Sequence, residues 1–207
     1  MLKKKVIFSA SEDRLERLIS ERLMQNSNKE EIDERIWNLF GEEWCIMFTD
    51  LSGFSRNVEK FGIIHFLQII YESHRILIPV IEDFNGFLLK TEGDSFFVIF
   101  RNPIDALRCS IEMNQILEQY NRLMPDEEKI LLCTGLGYGK VLKIGDTDMF
   151  GAEVNAASKL GEDTAKAKEI LVTENFKNAV NAKFPEYRFD RIDFKPPGAN
   201  AAYKVVY

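Results

Sequence analysis

Apolar residues near the start of the chain recur at helical spacing. Leu15, Leu18, Ile19 and Leu23 form one set, and Ile32, Ile36, Leu39 and Phe40 form a second. Each set places an apolar stripe on one helix face. Ser9 with Glu12, and Ser27 with Glu30, fit the capping box that opens a helix. The polar stretch Gln25-Asn26-Ser27-Asn28 separates the stripes. Residues 1–42 are therefore expected to form a helical lead whose stripes need a partner surface, either the chain's own core or a second copy.

From Trp44 the rhythm changes. Residues 44–49 are a short apolar run, the pattern of a buried strand. Residues 54–84 return to helical spacing, with a break near Gly62. Residues 87–90 and 96–100 read as two strands joined through the turn Thr91-Glu92-Gly93-Asp94. An amphipathic helix follows over 103–123, then strand-like material over 129–144 that holds Gly135, Gly137 and Gly139. Residues 151–165 predict another helix and 170–172 a short strand. Strands near 187–194 and 202–207 close the chain, with Pro196-Pro197-Gly198-Ala199-Asn200 as the loop between them. The order β-α-β-β-α-β predicts an α+β protein with a ferredoxin-like βαββαβ core, added strands and the N-terminal helical lead. The expected division is a lead over 1–42 and one domain over 43–207.

Composition narrows the partners. The chain has 207 residues, 45% of them hydrophobic, enough for an ordinary core. A formal net charge of −6 argues against a nonspecific nucleic-acid binder, which needs a basic face. A small phosphorylated ligand remains compatible, because metal ions and a few lysines supply local positive charge. Cys45, Cys109 and Cys133 are odd in number and match no zinc spacing, so free buried thiols in a reducing compartment are expected. The basic start, Met1-Leu2-Lys3-Lys4-Lys5, is followed by too short an apolar stretch for a signal peptide. No apolar run approaches the roughly 18 residues of a membrane span. The expectation is a cytoplasmic protein with no membrane and no nucleic-acid partner.

Two acids carry the candidate chemistry. Asp50 ends the first predicted strand, and Asp94 sits in the hairpin turn. In a β-α-β-β core these strands are neighbours, so both carboxylates can project from one sheet edge. Paired carboxylates suit hard divalent cations such as magnesium. Two such ions can activate an attacking oxygen and stabilise a leaving phosphate. The turn Leu51-Ser52-Gly53-Phe54-Ser55 leads toward a helix, where backbone N–H groups can receive phosphate and Gly53 permits close approach. His65 and His74 fall on a helix face outside any metal spacing.

Phe-Thr-Asp-Leu-Ser-Gly-Phe-Ser at 48–55 resembles the opening motif of class III adenylate and guanylate cyclases. Lys90-Thr91-Glu92-Gly93-Asp94 is similar to their second motif, and the similarity continues through residues 148–159. The resemblance covers about residues 44–207 and implies the same ferredoxin-like core. It also implies that Asp50 and Asp94 bind two magnesium or manganese ions, and that ATP is converted to cyclic AMP and pyrophosphate. Lys90 matches the first base-reading position, lysine in adenylate cyclases and typically glutamate in guanylate cyclases. An ammonium can donate to adenine N1, whereas guanine presents an N–H there. Asp148 matches the second base reader, which accepts from the adenine amino group. Asn155 matches an asparagine that orients the ribose. Lys159, one helical turn on, stands where the family has an arginine that stabilises the reacting phosphate. It keeps the charge and lacks the planar fork. Lys195 matches a lysine that contacts the triphosphate.

The resemblance further implies a homodimer with its active sites at the interface. One chain would give Asp50 and Asp94, and its partner Lys90, Asp148, Asn155 and Lys159. Three other readings share parts of this pattern. They are a weakly catalytic regulatory module that binds nucleotide, a cyclase using GTP or a pyrimidine triphosphate, and a ferredoxin-like RNA-binding domain. The last would need a basic surface.

Overall fold

The computed structural model describes residues 10–53 and 60–207. Its centre is β1 (Gly41–Leu51), the apolar run extended at both ends. β1 pairs antiparallel with β3 (Ser95–Phe100) on one side and with β4 (Leu132–Ile144) on the other. β2 (Phe87–Glu92) lies beyond β3. The strand order β2-β3-β1-β4 is the antiparallel order of a ferredoxin-like core. The sheet then grows past β4 through β6 (Ile170–Thr173), β8 (Ala202–Val206) and β7 (Arg188–Ile192). β5 (Asp148–Phe150) pairs with the far end of β4. The fold is mixed α+β, built on a single sheet.

Strand alternation gives the sheet two unlike faces. Cys45 and Met47 of β1, with Phe96, Val98 and Phe100 of β3, point to one of them. Three helices bury it: α3 (Ile63–Asp83), α4 (Pro103–Asn121) and α6 (Glu174–Asn181). Trp44 and Ile46 of β1, with Phe97 and Ile99 of β3, point to the other. There the cover is the short helix α5 (Ala152–Ser158), reaching in with Val154 and Ala157, and Met149 of β5. Phe48 and Asp50 share this more open face by register.

A row of glycines seats α5. Gly135, Gly137 and Gly139 are alternate residues of β4 and so lie on one face. A β-carbon at Gly135 would stand 2.2 Å from the Ala157 carbonyl oxygen and 2.3 Å from the Gly161 nitrogen. The helix therefore rests directly on strand backbone. Past Ser158 it widens into a π-helical turn, Lys159–Thr164, where the predicted helix was uninterrupted. The Ala165 amide donates back to Leu160 O at 2.8 Å. Gly135→Ala should destabilise the protein by about 3 kcal/mol, because backbone on both sides must move. Chemical denaturation of the purified variant checks this.

The lead packs on the same sheet. α1 (Ala10–Arg22) contributes Leu18, and α2 (Lys29–Phe40) contributes Ile32, Ile36 and Phe40, around Ile144 of β4. Leu23 and Leu39, placed in the apolar stripes by spacing, are exposed. The cap of α2 is shifted by one residue from the expected Ser27–Glu30 box. Asn28 Oδ1 accepts from the Glu31 amide at 3.3 Å. The Ser27 hydroxyl instead donates to Arg22 O, at the end of α1, and to Met24 O in the turn that follows. Ser9 of the other expected box lies outside the described residues. The three cysteines are free and buried. Among the described residues, no helix is long and apolar enough to cross a membrane.

Candidate functional site

The β2–β3 hairpin brings the two acids together. Its turn is Gly93-Asp94, with Gly93 at φ +61°, a value suited to glycine at the first position of a two-residue hairpin turn. Ser95, the next residue, donates its hydroxyl to Asp50 Oδ1 at 3.3 Å. Burial, and then the negative charge of Asp94, push the Asp50 carboxyl up to about 6, although bonds from Ser95 and the Leu51 amide pull the other way. Asp94 Oδ2 is buried without a hydrogen-bond partner. A divalent cation between these acids would relieve the repulsion and satisfy the orphaned oxygen. The pair therefore fits an ion such as magnesium, which is held by one or two carboxylates and completes its shell with phosphates and water. Among the described residues, no group of three or more His, Cys, Asp or Glu side chains could hold a metal.

The turn after Asp50 differs in part from the expected phosphate cradle. Leu51 is buried in the core. The Ser52 amide already donates to Leu131 O at 2.8 Å, so it is not free for a phosphate. Gly53, at φ +94°, turns the chain. Phe54 and Ser55 lie outside the described residues.

A second cluster forms next to the acids. Lys90 Nζ donates to Asp148 Oδ2 at 2.9 Å, although the two residues are 58 positions apart. A register shift in β2 sets Lys90 opposite Phe97. β5 supplies Asp148, whose Oδ1 accepts the Met149 amide at 2.9 Å. Both line a cavity of about 140 Å³. Its apolar wall is Phe48, Phe97, Met149 and Val154, and its polar rim includes Ser95, Glu92 and Glu162. The Phe48 and Phe97 rings stack with centroids 4.4 Å apart. A flat apolar wall beside a donor–acceptor pair suits a planar heterocycle. Ser95 belongs to this cavity and also touches Asp50, so the two clusters adjoin.

The remaining candidates lie elsewhere in the chain. Asn155 is exposed on α5. Lys159 is also exposed and pairs with Asp163 at 2.5 Å. Lys195 lines a separate shallow hollow with Arg191, Asp193 and Asn200. His65 and His74 sit on α3 as expected; a His65 ring nitrogen contacts Glu127 O at 2.9 Å.

Sequence reasoning missed the Phe48–Phe97 wall, Ser95, Glu162 and the buried Glu153. Phe48 and Phe97 belong to strands far apart in sequence, and only the β1–β3 register sets them opposite one another and stacks their rings. The available signal for Glu153 was the glycine row on β4, which announces a close-packed helix facing it.

The adenylate and guanylate cyclase catalytic domain family matches residues 41–206. In sequence, the chain is 27% identical over 139 residues to "Putative adenylate cyclase 3" of Rhizobium meliloti (strain 1021), covering 67% of this chain and 23% of that protein. It is 25% identical over 129 residues to the serine/threonine-protein kinase pkn2 of Myxococcus xanthus, covering 62% and 15%. The chain thus spans less than a quarter of the length of either relative. Among solved structures, the adenylate/guanylate cyclase/hydrolase from Silicibacter pomeroyi superposes with a TM-score of 0.67 at 24% identity, over 81% of this chain and 99% of that one. The adenylyl cyclase CyaB from P. aeruginosa gives 0.64 at 19% identity, over 81% and 95%. The guanylate cyclase domain of RhGC from Catenaria anguillulae, in complex with GTP, gives 0.66 at 16% identity, over 80% and 96%. These likenesses show a shared fold among cyclases of both base specificities. With its family match running from the first residue of β1 to the last residue of β8, the chain belongs to the class III adenylate and guanylate cyclase catalytic domains.

Proposed function

We propose that this chain is an adenylate cyclase catalytic domain that converts ATP to 3′,5′-cyclic AMP and pyrophosphate. The observation that carries the reading is the Lys90–Asp148 pair on the wall of an aromatic-lined cavity. Adenine offers an acceptor at N1 and a donor at its amino group. A lysine and an aspartate complement that edge, whereas guanine would set its N1–H against the ammonium.

Asp50 and Asp94 would hold two magnesium or manganese ions, which when bound supply Lewis acidity to the reacting phosphates. Asn155 aligns the ribose so that its 3′-oxygen faces the α-phosphorus. Lys159 offsets negative charge as pyrophosphate leaves. Gly53 lets phosphate approach the backbone, and Lys195 steadies the triphosphate. Most of the catalytic effect is orientation and charge placement.

The active unit in this reading is a homodimer. A cavity of about 140 Å³ is smaller than the roughly 300–1,000 Å³ usual for ligand sites. In the homodimer Lys90, Asp148, Asn155 and Lys159 of one chain serve the Asp50–Asp94 pair of its partner, and Asn155 and Lys159 face outward, where a second copy can use them. Residues 1–42 would form a lead to a catalytic domain over 43–207. The exposed Lys159–Asp163 pair favours a second reading, a nucleotide-binding module with weak turnover, because it occupies the proposed catalytic cation.

The test is incubation of the purified chain with each nucleoside triphosphate and manganese, with mass detection of cyclic products. Cyclic AMP as the main product supports the proposal. A different cyclic nucleotide would overturn the base assignment, and binding without product would favour the second reading. Lys90→Glu should lower kcat/KM for ATP by a factor on the order of 10², since it removes a donor and sets two acids face to face.

A further inference from the structure

We propose that Glu153 is a positioning residue, whose buried carboxylate locks α5 in place and so fixes the outward-facing Asn155 and Lys159. The roles of those two residues rest on the proposed cyclase reading; the lock itself does not.

A seven-residue helix has little stability of its own, so α5 must be held from outside. Its apolar anchors, Val154 and Ala157, are small. Glu153 is 4% exposed, in a position that would suit an aliphatic side chain. Burying a carboxylate is costly unless donors meet it, and here donors arrive from three elements. Oε2 accepts from the Tyr138 amide of β4 at 3.2 Å and from Thr173 Oγ1, at the end of β6, at 2.7 Å. Oε1 accepts from Asn175 Nδ2, in the first turn of α6, at 2.6 Å.

The surroundings are built for this side chain. β6 pairs with β4 only over Thr134–Leu136, so the Tyr138 amide lies beyond the end of that ladder. Thr173 also accepts from the Phe176 amide and caps α6 while donating to Glu153. A β-carbon at Gly137 would stand 3.0 Å from Glu153 Oε2, and one at Gly139 would stand 3.1 Å from Glu153 Cγ. Glycine at both positions leaves room for the carboxylate. At about 100° per residue, Asn155 lies on the opposite side of α5 from Glu153. A rotation of the helix about its seat would swing Asn155 and, through the π-helical turn, Lys159.

The test compares Glu153→Ala, Glu153→Gln and Asn175→Ala in the full chain. The first reading is hydrogen exchange, which needs no activity. Amides of residues 154–160 should exchange about tenfold faster or more in Glu153→Ala, with protection elsewhere unchanged. Asn175→Ala removes one donor from outside the site and is a milder change for the fold. It should show the same local loss in smaller degree. Glu153→Gln should restore most of the protection, because the Asn175 amide can turn to present its oxygen. In turnover, Glu153→Ala should lose about tenfold or more in kcat with KM for ATP little changed, since Lys90 and Asp148 are untouched. A purely structural role would lower the melting temperature and leave kcat of the folded fraction at the parental value. Unchanged local exchange in both alanine variants overturns the lock. Faster local exchange in the alanine variants of a parent that makes no cyclic nucleotide upholds the lock and rejects the cyclase reading.

Discussion

Asp50→Asn should cut cyclase turnover by a factor on the order of 10³ or more, and at the same time raise the melting temperature of the metal-free protein at slightly alkaline pH. Both effects have one cause. Asp50 is half-buried next to Asp94, and its carboxyl is pushed up to about 6 by burial first and by that neighbour second. The fold therefore holds the Asp50 proton more tightly than the unfolded chain does. Stability from this group is fully present below the unfolded carboxyl value of about 4. It is lost as pH rises through about 6, where the folded protein must ionise the acid. Asparagine keeps the shape and the acceptor for Ser95 without the charge. Because the site is partly open to solvent, the gain is discounted to roughly 1 kcal/mol, or about 2–4 °C for a chain of this size. It should disappear as the solution is acidified. Thermal scans of parent and variant across pH, without divalent ions, read this directly. A variant that melts lower than the parent at alkaline pH would make Asp50 a structural anchor. One that keeps its turnover would remove it from the metal site.

That strain is the physical mark of the candidate site, and part of it is legible in the chain. An apolar run ending in Asp50, then a two-strand pattern with Asp94 in its turn, implies neighbouring strands and neighbouring acids. The βαββαβ order follows from the same periodicities and agrees with the observed strand order. The rest depends on pairings without a local signature. β5 is three residues long and exists because it can pair with the end of β4. No periodicity reveals so short a strand, yet it delivers Asp148 to Lys90. The eight residues of α6 begin at the Thr173 cap, whose hydroxyl is shared with Glu153, a residue from a different helix. The π-helical turn after Ser158 reflects tertiary contact. Gly161 sits so close to Phe48 O that a β-carbon there would stand 2.5 Å away. Helical spacing alone carries the predicted helix straight through.

The largest qualitative change should come from mixing two dead variants. If the active site is shared between two chains, Asp50→Ala disables the metal-binding side and Asn155→Ala the ribose-binding side. Each homodimer then has two broken sites. Equal mixing with free exchange gives half heterodimers. Every heterodimer has one site carrying both substitutions and one site carrying neither. About a quarter of the parental sites are thereby restored, and cyclic AMP formation should rise from background to about a quarter of the parental rate. The geometry favours this outcome. Asn155 is exposed on α5, Asp50 accepts from Ser95 at the sheet edge, and the cavity that Ser95 lines is too small for a whole nucleotide. The substitutions lie far apart in sequence and touch different elements, so neither should hinder the exchange of folded chains. If activity stays at background although labelled chains exchange partners, each chain must build its site alone. Lys90, Asp148, Asp50 and Asn155 would then all have to serve one nucleotide within a single copy.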